Sequence, residues 1–168
     1  SRERHARLTQ GRPGHYRDLA QTLAQQGYAV VLTGSQAERD QFQHEALDGV
    51  VLHSEVNNLM GQLAIRELMA VIAAAHVVVS GATGPAHLAA ALNVPTVSLF
   101  DPRQNNSPTR WKPLGLGMLL RPDVPTCDKC IGEACPYWDC LDRFTVQDVV
   151  ARLGAVVRSA QPLTIHHI

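Results

Sequence analysis

The chain has 168 residues, of which 45% are hydrophobic and 18% charged, and its 15 basic residues balance its 15 acidic ones. This length suits one domain with a hydrophobic core, and the composition excludes a disordered protein and a general nucleic-acid binder. The sequence has no apolar run near the roughly 20 residues that cross a bilayer, and residues 1–10 are too polar for a signal peptide.

The first half of the chain alternates helical and strand patterns. Apolar residues at helical spacing predict a helix over residues 15–25, which Gly27 ends. A short apolar run predicts a buried strand over 29–33, and we expect a helix over 36–47 and a second strand over 50–52. The first strand begins so late that the chain is expected to be part of a longer protein.

The same alternation continues beyond this point. We predict a helix over residues 65–75, a strand over 77–79, a helix over 85–92 and a strand over 95–100. Strands that alternate with helices indicate an α/β fold with a doubly wound, mostly parallel sheet and helices on both faces.

The pattern changes after the fourth strand. Residues 101–136 hold six of the ten prolines and three of the four cysteines, so long regular elements are not expected there. Helical spacing returns over 145–157, with Thr145 as the N-cap, and this helix should pack on the sheet. We therefore predict one Rossmann-like domain over residues 1–158 and a tail over 159–168.

The turn between the third strand and its helix carries the clearest chemical signal. Gly81 and Gly84 allow a sharp turn and the close approach of a ligand, Thr83 suits the N-cap, and Pro85 suits the first helical turn. Free amides and the helix dipole at the carboxyl edge of a parallel sheet favour a phosphate. His87 could add a hydrogen bond or a positive charge, or it could simply cap or pack, since short glycine motifs are common.

Several motifs resemble one family. The run Gly-Ala-Thr-Gly-Pro-Ala-His-Leu-Ala-Ala-Ala-Leu at 81–92, followed by Val-Pro-Thr-Val, looks like the signature of bacterial ADP-heptose:lipopolysaccharide heptosyltransferases. Leu-Thr-Gly at 32–34 with Glu38 resembles the Thr-Gly-x-x-x-Glu loop of that family, and Ile-Arg-Glu-Leu at 65–68 resembles its Leu-x-Glu-Leu helix. The resemblance implies the C-terminal, donor-binding half of a GT-B fold.

The resemblance also implies a role for individual residues. Thr83, Gly84 and His87 would hold the diphosphate or the sugar, Glu38 would bind the ribose, and the backbone near Leu63 would contact the base. A solvated charge on a helix face is the alternative for Glu38. Ala82 stands where the family usually has Asp, so heptose as the donor sugar is in question. The implied donor site consists of Gly34, Ser35, Glu38, Leu63, Thr83, Gly84, Pro85, His87 and Arg110.

Arg110 lies in the loop that follows the fourth strand. The segment Arg-Trp-Lys-Pro-Leu-Gly at 110–115 resembles the Arg-Trp-x-Pro-x-Gly loop of the family. Arg110 could bind phosphate in a bidentate manner, with Arg103 nearby. Alternatively, Trp111 packs on the edge of the sheet and the cations face water.

The four cysteines form a C-x2-C-x4-C-x4-C series of Cys127, Cys130, Cys135 and Cys140. Four thiolates this close in sequence could hold a structural zinc ion, although the spacing is not that of a standard zinc module. Disulfides and reduced thiols are the alternatives.

The resemblance implies part of an inverting, metal-independent glycosyltransferase of lipopolysaccharide core or other envelope glycan synthesis, with no required cofactor. Its expected partners are a nucleotide-diphospho-sugar donor such as ADP-heptose and a missing N-terminal domain that binds a lipid-linked glycan acceptor and supplies the catalytic base. We expect a cytoplasmic protein, peripheral at the inner face of the inner membrane, and an inactive isolated chain. The alternative is a non-catalytic nucleotide- or metal-binding α/β module.

Overall fold

The computed structural model describes residues 13–159 and 164–167. The contacts divide these residues into two compact units, one ending at Val71 and the other beginning at Ile72. The single domain expected over residues 1–158 stays a prediction.

The first unit alternates helices with two short strands. The two strands pair in parallel, with Val30 opposite Val56. The elements are α1 (Pro13–Gln25), β1 (Val30–Leu32), α2 (Gln36–Ala46), β2 (Val56–Asn58) and the greater part of α3 (Ile65–Ala74).

The core of the first unit lies between α1, α2 and the strands. The apolar positions of α1 that predicted a helix are its buried face, as Leu19 and Leu23 show. Burial of such side chains stabilises each helix more than its intrinsic propensity does. The central cluster consists of Ala20, Ala24, Leu32, Phe42, Ala46 and Val56.

The prediction of a strand over residues 50–52 is wrong, because the strand that pairs with β1 is β2. The side chain of Val51 is 88% exposed, and its carbonyl oxygen accepts a hydrogen bond from Gln21 Nε2 at 3.1 Å. The His53 amide donates to Gln21 Oε1 at 2.7 Å. A side chain of α1 therefore satisfies backbone groups here that a strand would have paired with a neighbour.

The second unit is built on a four-stranded parallel sheet in the order β3, β4, β5, β6. Its strands are β3 (Val78–Gly81), β4 (Thr96–Leu99), β5 (Gly117–Arg121) and β6 (Thr164–His167). Its helices are α4 (Gly84–Ala91), the short α5 (Pro108–Trp111) and α6 (Val146–Ser159). The predicted parallel α/β architecture is confirmed.

Strand β4 is covered on both sides. Thr96, Val97 and Ser98 are all fully buried, and successive strand residues point to opposite faces. Helix α4 packs on β3 and β4, and α6 packs on β4 and β5. The last helix starts where predicted, because Thr145 Oγ1 accepts from the Asp148 amide at 3.1 Å and Asp148 Oδ2 accepts from the Thr145 amide at 3.1 Å.

Two strands of this sheet lie where none was expected. Strand β5 lies inside the segment of residues 101–136, and β6 lies within the expected tail of residues 159–168. Gly117 permits the pairing of β5 with β4, because its φ is 136° and a Cβ there would lie 2.6 Å from the Thr96 nitrogen. The remainder of the segment before α6 is largely irregular, with a 3₁₀ turn at Gly132–Ala134.

Candidate functional site

The turn that joins β3 to α4 has the predicted form. Strand β3 ends at Gly81, Thr83 occupies the N-cap with extended backbone (φ −135°, ψ 176°), and Pro85 lies in the first helical turn. Because β3 and β4 are parallel and Gly81 lies opposite Leu99, the turn lies at the carboxyl edge of the sheet. Ligands of open α/β sheets bind at this edge.

The beginning of α4 is open. Gly84 is exposed, and a Cβ there would meet no atom within 4 Å. Within residues 13–159 and 164–167, no acceptor binds the Gly84 amide. Pro85 has no amide hydrogen, and the Ala86 amide donates to the Thr83 carbonyl oxygen at 3.1 Å. The site therefore offers a free amide at the positive end of a helix dipole.

Thr83 differs from its expected behaviour in one respect. Its side chain makes no capping hydrogen bond to α4. Its hydroxyl oxygen instead lies 3.0 Å from Ser80 Oγ. The position of the N-cap was predicted correctly, but its bonding was not.

His87 lies on the first turn of α4 and its side chain is exposed. No hydrogen bond joins its imidazole to any residue of the described part of the chain. The structure therefore favours neither the capping nor the packing interpretation, and the imidazole is accessible to a ligand near the open helix end.

Glu38 belongs to a second turn, between β1 and α2 in the first unit. Its Oε2 accepts hydrogen bonds from the Ser35 amide at 2.7 Å and from Ser35 Oγ at 2.8 Å. Ser35 Oγ in turn accepts from the Glu38 amide at 3.2 Å. This is a capping box, so Glu38 is more than a solvated charge on a helix face. Its Oε1 has no donor among the described residues.

The surroundings of Glu38 are compact. A Cβ at Gly34 would lie 3.1 Å from Glu38 Oε2, and the Gly61 amide donates to the Gly34 carbonyl oxygen at 2.8 Å. Burial, together with the nearby charge of Glu38, raises the pKa of Tyr16 to about 12. Leu63 is partly buried in the segment after β2.

Arg110 is separate from both turns in sequence and lies in the short helix α5. It is exposed, with its guanidinium 5.1 Å from the centre of the Trp111 ring. Trp111 Nε1 donates to the Asn105 carbonyl oxygen at 2.9 Å, and Trp111 remains partly exposed. The guanidinium of Arg110 is thus accessible to an anion.

A buried carboxylate near the end of β4 was missed by sequence reasoning. Asp101 is only 4% exposed. It accepts hydrogen bonds from the Arg103 amide at 2.9 Å and from Arg103 Nη2 at 2.7 Å, and a further one from Asn106 Nδ2 at 2.8 Å. Arg103 is therefore held by Asp101. An acid directly after an apolar strand, two residues before an arginine, was the available signal.

All four cysteines are free thiols and partly buried. Burial raises the pKa of Cys140 to about 11, and Cys130, Asp101 and Cys127 add to this shift. Burial also raises the pKa of Cys127, to which Asp101, Cys135 and Cys130 add. Among the residues that the structure describes, no three His, Cys, Asp or Glu side chains are placed to hold a metal ion.

The predicted donor residues thus fall into two groups and two single residues, Leu63 and Arg110. Thr83, Gly84, Pro85 and His87 share the turn before α4 in the second unit, whereas Gly34, Ser35 and Glu38 share the turn before α2 in the first.

Across residues 13–159, no helix combines the length and the apolarity needed to cross a membrane.

Comparison with known families gives a match to glycosyltransferase family 9 (heptosyltransferase) over residues 13–133. Lipopolysaccharide heptosyltransferase 2 of Salmonella typhimurium is 37% identical over 106 residues, which cover 60% of this chain and 28% of that protein. Lipopolysaccharide heptosyltransferase 1 of Pseudomonas aeruginosa is 34% identical over 167 residues, which cover 89% of this chain and 44% of that protein.

Solved structures of this family also match the chain. The Escherichia coli ADP-heptose lps heptosyltransferase II matches with a TM-score of 0.71 and 29% identity, over 89% of this chain and 42% of that one. A glycosyl transferase family 9 protein from Veillonella parvula shares the fold, with a TM-score of 0.67 and 17% identity over 86% of this chain and 41% of that one. The chain spans less than half the length of these relatives.

Proposed function

Because the chain belongs to glycosyltransferase family 9, we propose that it is the donor-binding part of a glycosyltransferase that uses a nucleotide-diphospho-sugar. The open beginning of α4 carries this proposal. A Gly84 amide that has no acceptor among the described residues, unfilled space beside this glycine and an exposed imidazole at His87 suit the oxygens of a diphosphate.

The chemistry of the helix end favours an anion over a neutral ligand. An amide without a protein acceptor gains a charge-assisted hydrogen bond from a phosphate oxygen, and the helix dipole adds to that attraction. The side chains of Thr83 and His87 each bring a further polar group to the same turn. Arg110 is proposed as an additional phosphate ligand because its guanidinium is exposed and pairs with no carboxylate of the described residues.

The turn before α2 suits a different part of a nucleotide. Glu38 uses one oxygen in its capping box, so its second oxygen is available to a hydroxyl group. A fixed carboxylate is a good acceptor for ribose hydroxyls. We therefore keep Glu38 as the ribose ligand, Gly34 and Ser35 as its turn, and the backbone near Leu63 as the contact for the base.

The proposal for the whole enzyme includes parts outside these 168 residues. The relatives are lipopolysaccharide heptosyltransferases, so we propose an ADP-heptose-like donor and a lipid-linked glycan acceptor, with inversion at the transferred sugar. The catalytic base would belong to an N-terminal domain. The enzyme would work in the cytoplasm, peripheral at the inner face of the inner membrane.

Ala82 bears on the identity of the sugar. Its methyl group cannot accept hydrogen bonds from sugar hydroxyls, whereas the aspartate usual at this position of the family can. A donor sugar with fewer or differently placed hydroxyls is therefore compatible with the proposed function. The nucleotide diphosphate, which contacts the turn itself, is independent of this residue.

A thermal-shift panel of ADP-, GDP-, UDP- and dTDP-sugars tests the proposal. A ligand present at 100 times its dissociation constant should stabilise the fold by about 2.7 kcal/mol. The chain alone should bind a donor and transfer no sugar, because transfer needs a base held about 3 Å from the acceptor hydroxyl. Robust transfer by the chain alone would place the base within it. The absence of any shift across the panel would favour the non-catalytic module.

A structural zinc ion at Cys127, Cys130, Cys135 and Cys140 stays a prediction. The four thiols are free, and among the described residues they are not arranged as a metal site. The proposed transfer chemistry requires no cofactor, so zinc would act only on the stability of the segment that carries the four residues.

A further inference from the structure

The hydroxyl of Thr83 is bound to a residue of the sheet and not to the helix that it precedes. Its oxygen lies 3.0 Å from Ser80 Oγ, and it makes no hydrogen bond to the amides of α4. A threonine at the N-cap ordinarily accepts from the amide two or three residues further on, which here means Ala86 because Pro85 has none. Thr83 therefore has the position of a cap without its usual contact.

The consequence is a helix end whose amides receive no side-chain cap from Thr83. The Ala86 amide reaches only the Thr83 carbonyl oxygen, at 3.1 Å. The Gly84 amide has no acceptor among the described residues, and a Cβ at that position would meet nothing within 4 Å. A free Thr83 hydroxyl would cap the Ala86 amide and compete there with any ligand oxygen.

We propose that Ser80 is a positioning residue for donor binding, which holds the Thr83 hydroxyl at the end of the sheet, so that a diphosphate oxygen does not have to displace a Thr83 cap from the Ala86 amide. This inference rests on the proposed function. Ser80 is only 9% exposed, so it acts through Thr83 and not by direct contact with the ligand. When Ser80 is the donor of the pair, the Thr83 hydroxyl donates to the Gly81 carbonyl oxygen at 3.5 Å, which also holds it against the strand.

The expected effect follows from the strength of one hydrogen bond. A capping bond from Thr83 would have to be displaced before a phosphate oxygen could bind the same amide. The cost of breaking that one capping hydrogen bond lowers affinity by about 3- to 10-fold.

Ser80→Ala is the direct test, in the 168-residue chain, with ADP as the probe. Calorimetry should show ADP binding about 3- to 10-fold weaker than in the wild-type chain. Hydrogen exchange at the Ala86 amide should become slower without ligand, because the released Thr83 hydroxyl now caps it. General loosening of the sheet would instead make this exchange faster.

Ser98→Ala is the matched control. Ser98 lies opposite Ser80 on β4, is fully buried, and binds Thr96 Oγ1 at 3.3 Å without contacting the turn. Neither ADP affinity nor exchange at Ala86 should change in this variant. Ser80→Cys keeps the size of the side chain with a much weaker hydrogen bond, and it tests the same point if Ser80→Ala does not fold.

The outcomes separate this inference from the proposed function. Wild-type affinity for ADP in Ser80→Ala, or equal weakening in Ser98→Ala, would overturn the role of Ser80 and leave donor binding intact. Failure of the wild-type chain to bind any nucleotide would overturn the proposed function. Even then, exchange at Ala86 decides whether Ser80 holds the Thr83 hydroxyl, because unchanged or faster exchange in Ser80→Ala contradicts it.

Discussion

Glu38 and Ser35 hold each other at the beginning of α2, with Glu38 Oε2 accepting from the Ser35 amide at 2.7 Å and Ser35 Oγ accepting from the Glu38 amide at 3.2 Å. The pair gives Glu38 a structural role before any ligand is considered. It also fixes the carboxylate, which reduces the entropy that a ligand would lose on binding it.

Two substitutions of Glu38 separate these roles. Glu38→Gln can keep the capping box and should lower the free energy of unfolding by less than about 0.5 kcal/mol, while donor affinity falls by about 1 kcal/mol because a neutral amide binds ribose more weakly. Glu38→Ala should lose about 1 kcal/mol of stability as well. Urea denaturation and calorimetry measure the two effects. Equal donor affinity in all three proteins would contradict the ribose role.

Tyr16 provides a pH-dependent test of the same region. Burial, then the charge of Glu38, raises its pKa from 10.0 to about 12. Because the folded pKa is the higher one, this contribution to stability is complete below about pH 10 and is lost as the pH rises towards 12. Tyr16→Phe should remove the ionisation step near pH 12 in absorbance at 295 nm, and Glu38→Gln should move it lower. Persistence of the step in Tyr16→Phe would contradict this assignment.

Asp101 should matter more for stability than an exposed acid does. Its side chain is 3% exposed and pairs with Arg103 at 2.7 Å, so Asp101→Asn leaves a partly buried guanidinium unpaired and should cost about 2 to 3 kcal/mol. Asp139→Asn is the control, since the Asp139–Arg143 pair is 3.5 Å long and about 40% exposed, and it should change stability by less than about 0.5 kcal/mol. Equal effects in chemical denaturation would contradict the importance of this buried pair.

The four cysteines allow a direct metal test. If they bind zinc, the purified chain contains one equivalent by elemental analysis and a chelator lowers its melting temperature. A chain without metal whose four thiols all react after unfolding under non-reducing conditions would exclude both zinc and disulfides.

Much of the fold was predictable because burial follows periodic apolar patterns. Leu19 and Leu23 face the core of the first unit, as their helical spacing predicted. The three valines before Ser80 predicted β3. Strand β2 was missed because Asn57 and Asn58 make it look polar, while the apolar run around Val51 is exposed in a loop. Strand β5 was missed because its first residue is Gly117, which sequence patterns assign to turns.

The site was predictable to the level of its turns and no further. The Thr-Gly-Pro sequence placed the beginning of α4 correctly, and Ser35 with Glu38 three residues later is typical of a capping box. The contact of Thr83 with Ser80, and that of Asp101 with Arg103, depend on side-chain rotamers. Residue spacing does not determine these, because several partners lie within reach of each group.

The most direct test of the account is calorimetric titration of the wild-type chain and His87→Ala with ADP. His87 is exposed beside the open beginning of α4, so loss of its bond to a phosphate oxygen should weaken binding by about 1 to 2 kcal/mol. His44→Ala, which alters an exposed histidine of α2, should bind as the wild type does. Identical ADP affinity in all three chains, or no binding by the wild type, would contradict the claim that a nucleotide diphosphate binds at this helix.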